Sequence, residues 1–448
     1  MAAGDVHPIV DEALANSSYL VDVGHNRAVV VDPRREADEY VQFADRLGVR
    51  VVASLETHLH ADFVSGSREL AEATGAAVVA PAGAELRLDH RPVSEGDTVT
   101  FGDARFEVLH TPGHAPEHVT YLLSEPVKAV FSGGSLIAGG AARTDLTGEE
   151  LTLDLARAQY HSLGRIARLD EQAALFPTHG AGSFCSTVSG VRYATTIGDE
   201  RRSNPLLQLA DEDAFVDRLL VSFGGYPPYF LHLRDVNRRP ALLEDLAPAR
   251  PLSPREVSEA VKGGAWLVDG RPVDVWAADH PKDSISIAVR PQFASWLGWV
   301  VPFAEPILLL VGDDRLEQAL RLALRIGYDQ VLGWLDGGMD AWHASGLPTS
   351  KIEVLTPEEA GARADNGATL LDVRQRNEWM DVRIPGALHL ELGEVIAGKH
   401  PAGELITFCG HGERAATAAS LLSRDGGRVA TLAGGFSAWE RAGLPVER

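Results

Sequence analysis

The sequence predicts an α/β protein of several domains, with parallel sheets in the last two. Three observations carry this. The chain has 448 residues, more than one hydrophobic core ordinarily organises, so roughly two to four domains are expected. Strand-like apolar segments alternate with helical ones along most of its length, the pattern of a sheet covered on both faces. And LDGGMDAWHASGLP (335–348) and LAGGFSAWERAGLP (432–445) match at eight of fourteen positions, 97 residues apart, so the C-terminal part is an internal repeat.

Taken in order, residues 1–225 hold the strand-like segments SSYLVDVG, RAVVVDPR, VRVVASLE, AAVVAP, RFEVLHTPG, VTYLL and AVFSGG. Helical stretches such as DEYVQFADRLG and GSRELAEATG lie between them, and the whole reads as one larger mixed α/β domain. Residues 226–252, rich in Pro and Arg, read as a linker. The repeated copies occupy 253–350 and 354–448. Each runs from a strand ending in Asp (WLVDGR, LLDVR) through a short strand to an apolar run (ILLLVGDDR, LITFCGHGER). A helical pattern then returns to the GG…AW…GLP element.

Hydrophobic residues make up 45% and charged residues 23% of the chain, the composition of a soluble globular protein. No apolar run approaches the roughly 20 residues that span a bilayer, and MAAGDVHPIVDEAL does not read as a secretory signal. The net charge of −22, from 41 basic and 63 acidic residues, argues against nucleic acid or an anionic membrane as partner. The cysteines are two, Cys185 and Cys409. That excludes a disulfide scaffold and fits a reducing cytoplasm.

THLHADF (57–63) places His58, His60 and Asp62 at alternate positions after a buried strand, where alternate side chains face one way. HTPGHAPEH adds His114 and PTHGAGSF adds His179, each after another strand. Histidines at three strand ends form a candidate metal constellation. These motifs resemble the metallo-β-lactamase superfamily, whose signature is T-H-x-H-x-D-H. The order VVVDPR, THLHAD, TPGHAPEHVTYLL, FSGGSL, RTDL resembles its persulfide dioxygenase branch, related to glyoxalase II. The resemblance implies an αββα sandwich and a metal-dependent reaction. It also exposes two departures. Phe63 stands where a second metal would have a histidine, which argues for at most one metal. Gly134 stands where the branch has the Asp that completes a two-His, one-carboxylate iron site. The expected ligands are therefore His58, His60 and His114, with Asp62, Asp145 and His179 as further candidates. One Fe(II) is expected, with Zn or reduced occupancy as alternatives. On this reading, Gly134→Asp would strengthen iron binding.

Cys409 follows the apolar LITF and precedes a helical pattern. Loop amides, a helix N-terminus and Arg414 would together favour a thiolate there, and the same cradle suits an anionic sulfur compound. This resembles the rhodanese family. Its six-residue active loop corresponds to Cys409, Gly410, His411, Gly412, Glu413 and Arg414, and its D-x-R…E and I-P-G-A segments to Asp372, Arg374, Glu378 and IPGALH. Cys409 and Arg414 are the implied catalytic residues. Gly410, His411, Gly412, Glu413, Asp372 and Arg374 are the implied substrate-binding residues. Glu413 is expected to face away from the sulfur and Arg414 toward it. The 97-residue offset puts Gly312 at the Cys409 position of the first copy, so that copy lacks a nucleophile. Cys185 reads as a small buried residue.

Together these resemblances imply a fusion of persulfide dioxygenase and sulfurtransferase acting in sulfide detoxification. A low-molecular-weight thiol persulfide and O2 would give sulfite, and Cys409 would carry sulfane sulfur between thiosulfate and sulfite. The alternatives are a sulfurtransferase with a metal-deficient scaffold domain, and a thioester hydrolase like glyoxalase II, which Phe63 disfavours. A homo-oligomer is left open.

Overall fold

In strands Asn16–Asp22 and Arg27–Val31, Tyr19, Val21, Val29 and Val31 point one way and Leu20, Ala28 and Val30 the other, all fully buried. Period two sends alternate side chains to opposite faces, so this sheet must be covered on both. On one face, the first set joins Phe106, Tyr121 and Phe131 of a second sheet in a shared core. On the other, Leu20, Ala28 and Val30 pack against helices Ala37–Leu47 and Ser67–Thr74. The outer face of the second sheet, through Val130 and Leu175, is covered by helices Glu149–Ile166 and Glu212–Val221. The computed structural model, which describes residues 4–125, 128–180, 182–186 and 194–448, thus holds the expected αββα sandwich. Among the described residues no helix is long and apolar enough to cross a membrane.

Each sheet of the sandwich has six strands: Val6–Asp11 to Arg91–Val93 adjacent in chain order in the first, and Thr98–Phe101 to Thr195–Thr196 in the second, where Ala129–Gly133 pairs with Ala174–Pro177 past the small hairpin of Leu136–Ile137 and Gly140–Ala141. The loops leaving Arg27–Val31, Arg50–Leu55, Ala104–His110, Ala129–Gly133 and Ala174–Pro177 carry Asp32, His58, His114, Gly134 and His179.

The chain divides into two compact units. The first runs to Leu246 and includes Leu324–Gly327; the second holds Ala247–Ala323 and Tyr328–Arg448. The expected linker at 226–252 is corrected by this division. Helix Phe230–Asn237 buries Phe230, Leu233 and Asn237 within the first unit. Farther on, Arg250–Leu252 is a strand of the first repeat copy, paired in parallel with Val331–Leu335. Prolines 227 and 228 precede the helix, where they are tolerated; they do not mark an irregular tether.

The two copies in the second unit have the same five-stranded parallel sheet. The spatial order is Arg250–Leu252, Val331–Leu335, Ile307–Leu310, Trp266–Asp269, Ile285–Ser286 in the first, and Glu353–Leu355, Arg428–Leu432, Glu404–Phe408, Thr369–Asp372, Leu388–His389 in the second. Their first helices, Pro254–Lys262 and Pro357–Asp365, open on the same capping box, Ser253 with Glu256 and Thr356 with Glu359. The register corrects one expectation. Asp269 pairs with Leu310 and Asp372 with Phe408, so the counterpart of Cys409 is Val311, not Gly312. A register shift between Ile307 and Leu308, absent from the continuous pairing of Glu404–Thr407, accounts for the extra residue. Either way the first copy has no sulfur nucleophile.

Burial of Phe230 and Leu233 is worth about 3–6 kcal/mol together. A fragment ending at residue 246 should therefore unfold cooperatively, whereas one ending at 225 should melt many degrees lower or fail to fold. Equal thermal midpoints for the two fragments would restore the linker assignment.

Candidate active sites

The first site is built on three histidines whose Nδ1 atoms are all engaged outward. His114 Nδ1 donates to the Arg143 carbonyl (2.6 Å). Thr57 Oγ1 donates its only proton to Asp32 Oδ2 (2.8 Å), so it must accept from His58 Nδ1 (2.8 Å). Asn16 donates through Nδ2 to Asp62 Oδ2 (2.7 Å), which leaves its Oδ1 to accept from His179 Nδ1 (3.1 Å). Each ring therefore turns an Nε2 lone pair into one buried space, and His58 Nε2 lies 3.4 Å from His179 Nε2. Lone pairs this close repel unless a proton or cation lies between them. Burial, with repulsion from the neighbouring imidazoles, pushes both His58 and His114 well below the ordinary histidine range, so neither of these two holds a proton readily. The donor set fits a metal cation held by neutral imidazoles whose second nitrogens are braced.

Three further buried atoms, His60 Nδ1 and Nε2 and Asp62 Oδ1, have no hydrogen-bond partner among the described residues, and His60, Asp62 and His179 lie close enough to share an ion. His60 Nε2 sits 3.3 Å from Asp32 Oδ1 and 3.2 Å from Glu56 Oε2, contacts of charge with charge without hydrogen-bond alignment. Burial opposes a charge on His60, but Asp32 and Glu56 outweigh it and push its pKa up to about 10. The carboxylates thus claim Nε2. Asp32 also accepts from Thr57 N (2.7 Å) and from the Thr178 hydroxyl.

The expected trio of His58, His60 and His114 is corrected in one member: His179 joins His58 and His114, with His60 and Asp62 beside them. Among the described residues Asp145 lies in none of the groups close enough to share an ion. It pairs in two-pronged fashion with Arg143 (2.7 and 2.9 Å), which also stacks over Tyr226. Phe63 is fully buried and stacks on His60 with ring centroids 4.2 Å apart, filling the place of a second-metal histidine. Cys185 is buried, and burial raises its thiol well above the usual range, as expected of a small core residue.

Sequence reasoning missed His118, Asn16, Asp32 and Glu56. His118 was visible in HTPGHAPEH, but spacing could not show that its ring stacks on His58 (centroids 5.0 Å apart) or that its Nε2 accepts from Gly134 N (3.0 Å). Burial lowers its pKa to about 3, so it stays a neutral acceptor. This packing leaves no room at the glycines. A Cβ at Gly133 would lie 2.4 Å from His118 Nε2, and one at Gly134 would lie 2.3 Å from His114 Cδ2. This sets a cost against the expectation that Gly134→Asp restores an iron ligand: the new side chain must displace His114 first. Gly134→Asp should retain less metal than wild type after anaerobic reconstitution and elemental analysis. Higher retention would show that His114 can move aside.

The second site surrounds Cys409, 1% exposed at the end of strand Glu404–Phe408. Gly412 N donates to its Sγ (3.1 Å), and helix Glu413–Arg424 begins at the next residue. Arg414 donates twice to Glu378 (2.5 and 2.8 Å). Burial disfavours the guanidinium's charge, but Glu378 and the Cys409 sulfur outweigh that and hold it more firmly protonated than usual. Burial likewise opposes the Glu378 carboxylate, and the Arg414 hydrogen bonds overcome it, holding Glu378 below its ordinary range. Glu413 turns to Arg290 of the first copy (3.5 Å). His411 is exposed, 3.2 Å from Ser437 Oγ, and borders a cleft of about 710 Å³ between the two copies.

Asp372 and Arg374 are corrected from substrate-binding residues to a buried brace. Arg374 donates to both Asp372 oxygens (2.6–3.0 Å) and to the Val382 carbonyl. The nucleophile-free copy has the same brace, Arg271 on Asp269 and the Asp279 carbonyl, so the pair serves the fold. The GG element has a different use in each copy. Phe436 N donates to the Cys409 carbonyl (2.7 Å) and Ser437 N to that of Gly410 (3.2 Å). A Cβ at Gly435 would lie 2.3 Å from the Cys409 carbonyl oxygen, whereas Gly338 has open space. Gly435→Ala should thus cost most of the Cys409 alkylation rate and sulfurtransfer. Gly338→Ala should cost only about 1 kcal/mol for its positive φ, read by denaturant unfolding. Equal effects would mean that the contact with the loop is unimportant.

Residues 11–179 match the metallo-beta-lactamase superfamily, and residues 253–345 and 356–442 match the rhodanese-like domain. The chain is 36% identical over 181 residues to a hydroxyacylglutathione hydrolase of Gloeobacter violaceus, covering 40% of this chain and 66% of that protein, just under two thirds of its length. It is 32% identical over 202 residues to the persulfide dioxygenase ETHE1, mitochondrial, of Homo sapiens, covering 44% of this chain and 73% of that one. A metallo-beta-lactamase from Staphylococcus aureus subsp. aureus COL has a similar structure, with a TM-score of 0.68 at 26% identity over 74% of this chain and 99% of its own.

Proposed function

The chain belongs to the metallo-beta-lactamase superfamily and carries two rhodanese-like domains after that fold, and from this premise we propose that it is a two-site enzyme of sulfur metabolism. The observation that carries the reading is the Cys409 loop: a buried thiol that accepts from the Gly412 amide and faces Arg414.

At this site the Cys409 thiolate attacks the outer sulfur of a sulfane donor such as thiosulfate. The new S–S bond leaves Cys409 as a persulfide, and the electron pair of the broken bond departs with sulfite. A thiolate or sulfite then attacks the terminal sulfur and regenerates the cysteine thiolate. Gly412 N and Arg414 stabilise the negative charge on sulfur before and after each transfer, and Glu378 keeps Arg414 in place.

In the first unit, His58, His114 and His179, with His60 and Asp62 beside them, would hold one metal, proposed as iron. A metal bound there would supply O2-dependent oxidation of a low-molecular-weight thiol persulfide to sulfite. The chain's own residues fix three Nε2 lone pairs through Thr57, Arg143 and Asn16, and Phe63 removes a donor that a second metal would use. This weighs against a two-metal thioester hydrolase, although hydroxyacylglutathione hydrolases are among the relatives. The absence of space for a carboxylate at residue 134 supports one further reading, a sulfurtransferase whose first unit is a scaffold.

Cys409→Ser should abolish thiosulfate-dependent sulfur transfer, while the full chain reconstituted without oxygen should hold one iron and consume O2 with glutathione persulfide. Two metals per chain would favour the hydrolase, and no metal the scaffold. Transfer surviving in Cys409→Ser would move the nucleophile to Cys185.

A further inference from the structure

We propose that helix Phe230–Asn237, which lies beyond the residues 11–179 that match the superfamily, is part of the cation centre, with Asn237 positioning His60 and Asp62. This rests on reading the first unit's histidine cluster as a metal centre. The loop from Leu59 to Ser65 is buried and outside any strand, so its backbone polar groups need partners from elsewhere. The helix supplies them. Asn237, 3% exposed, donates through Nδ2 to the carbonyls of His60 (2.7 Å) and Phe63 (2.9 Å) and accepts at Oδ1 from Ser65 N (2.8 Å). One side-chain amide thus spans the loop from the first ligand candidate to its exit.

Two neighbours complete the frame. Tyr229 Oη donates to the Asp62 carbonyl (2.8 Å). Arg234 donates to the Leu59 carbonyl (3.2 Å) and to Glu117 (2.9 Å), whose other oxygen accepts from Leu59 N (3.0 Å). The carbonyls of residues 59, 60, 62 and 63 are therefore all tied to this helix. The loop they belong to carries the His60 ring nitrogens and Asp62 Oδ1, which have no hydrogen-bond partner among the described residues. Their placement relative to His179 depends on the backbone that the helix holds. The ligand class is a divalent transition metal that accepts imidazole and carboxylate donors.

The test is a Co(II) titration of the metal-free full chain, read by the visible spectrum, together with amide hydrogen exchange at Ser65 without metal. Asn237→Ala should weaken Co(II) binding about 10–100-fold, alter the spectrum and speed Ser65 exchange. Asn237→Asp keeps the acceptor for Ser65 N but loses both donors. It should keep Ser65 protected and still bind Co(II) weakly. Leu219→Ala, in a core away from the loop, should lower stability and leave the Co(II) affinity and spectrum unchanged. An Asn237→Ala protein with wild-type affinity and spectrum would overturn the proposal, as would unchanged Ser65 exchange. If the wild type takes up no Co(II) while Asn237→Ala still deprotects Ser65, the metal reading itself falls and the helix is only a loop brace.

Discussion

One buried carboxylate, Asp32, ties together the loops on which the first site is built. It accepts from Thr57 N, from the Thr57 hydroxyl and from Thr178, so loops leaving three strands meet on a single side chain. Its charge is not solvated, since Asp32 has no exposure; burial would raise its pKa, and His60 outweighs this and keeps it ionised. The consequence reaches beyond charge balance. Because the Thr57 hydroxyl proton is held by Asp32, Thr57 can only accept from His58, and that fixes which nitrogen of His58 faces the cluster. The backbone of Asp32 has φ +48, an unfavourable conformation that Asp tolerates better than most residues. Such strain is retained where the surroundings over-determine it.

The second unit shows what a duplicated sequence conserves and what it gives up. Both copies keep the sheet order, the capping box on the first helix, and the Asp–Arg brace at the end of the strand beside the central one. All of these serve folding. They diverge where chemistry is required. One copy ends its strand in Cys409 with the Gly412 amide on the sulfur; the other ends in Val311 after a shifted register. The first copy touches the second: Thr417, on the helix that follows the Cys409 loop, donates to the Ser286 carbonyl (2.7 Å), and Arg290 meets Glu413. Its retained role is consistent with bracing that helix from the side.

The family likeness and the chemistry of the first unit pull in different directions, and the geometry explains why. The fold and the H-x-H-x-D motif are those of a metal enzyme, yet residue 134 is a glycine with His114 packed over it.

Several features were legible from residues alone. The repeat, the strand–helix alternation and the Cys409 loop depend on local periodicity and on contiguous motifs, which a linear reading captures. His58 and His114 were legible for the same reason, as members of short motifs. What the linear reading could not contain was contact between segments far apart. Asn16 and His179 are 163 residues apart and Arg414 and Glu378 are 36 apart, and no spacing rule connects them. The role of 226–246 was hidden because its Pro and Arg content is that of a tether, while its partners lie in a loop some 170 residues earlier. The one-residue error at Gly312 arose because a bulge changes register without leaving a mark on the sequence. Local pattern determined the repeat and the place of Cys409 between a strand and a helix. Tertiary packing decided which histidines share a space, which nitrogen each presents, and that residue 134 has no room for a carboxylate, because those depend on hydrogen bonds and volumes that only the folded chain brings together.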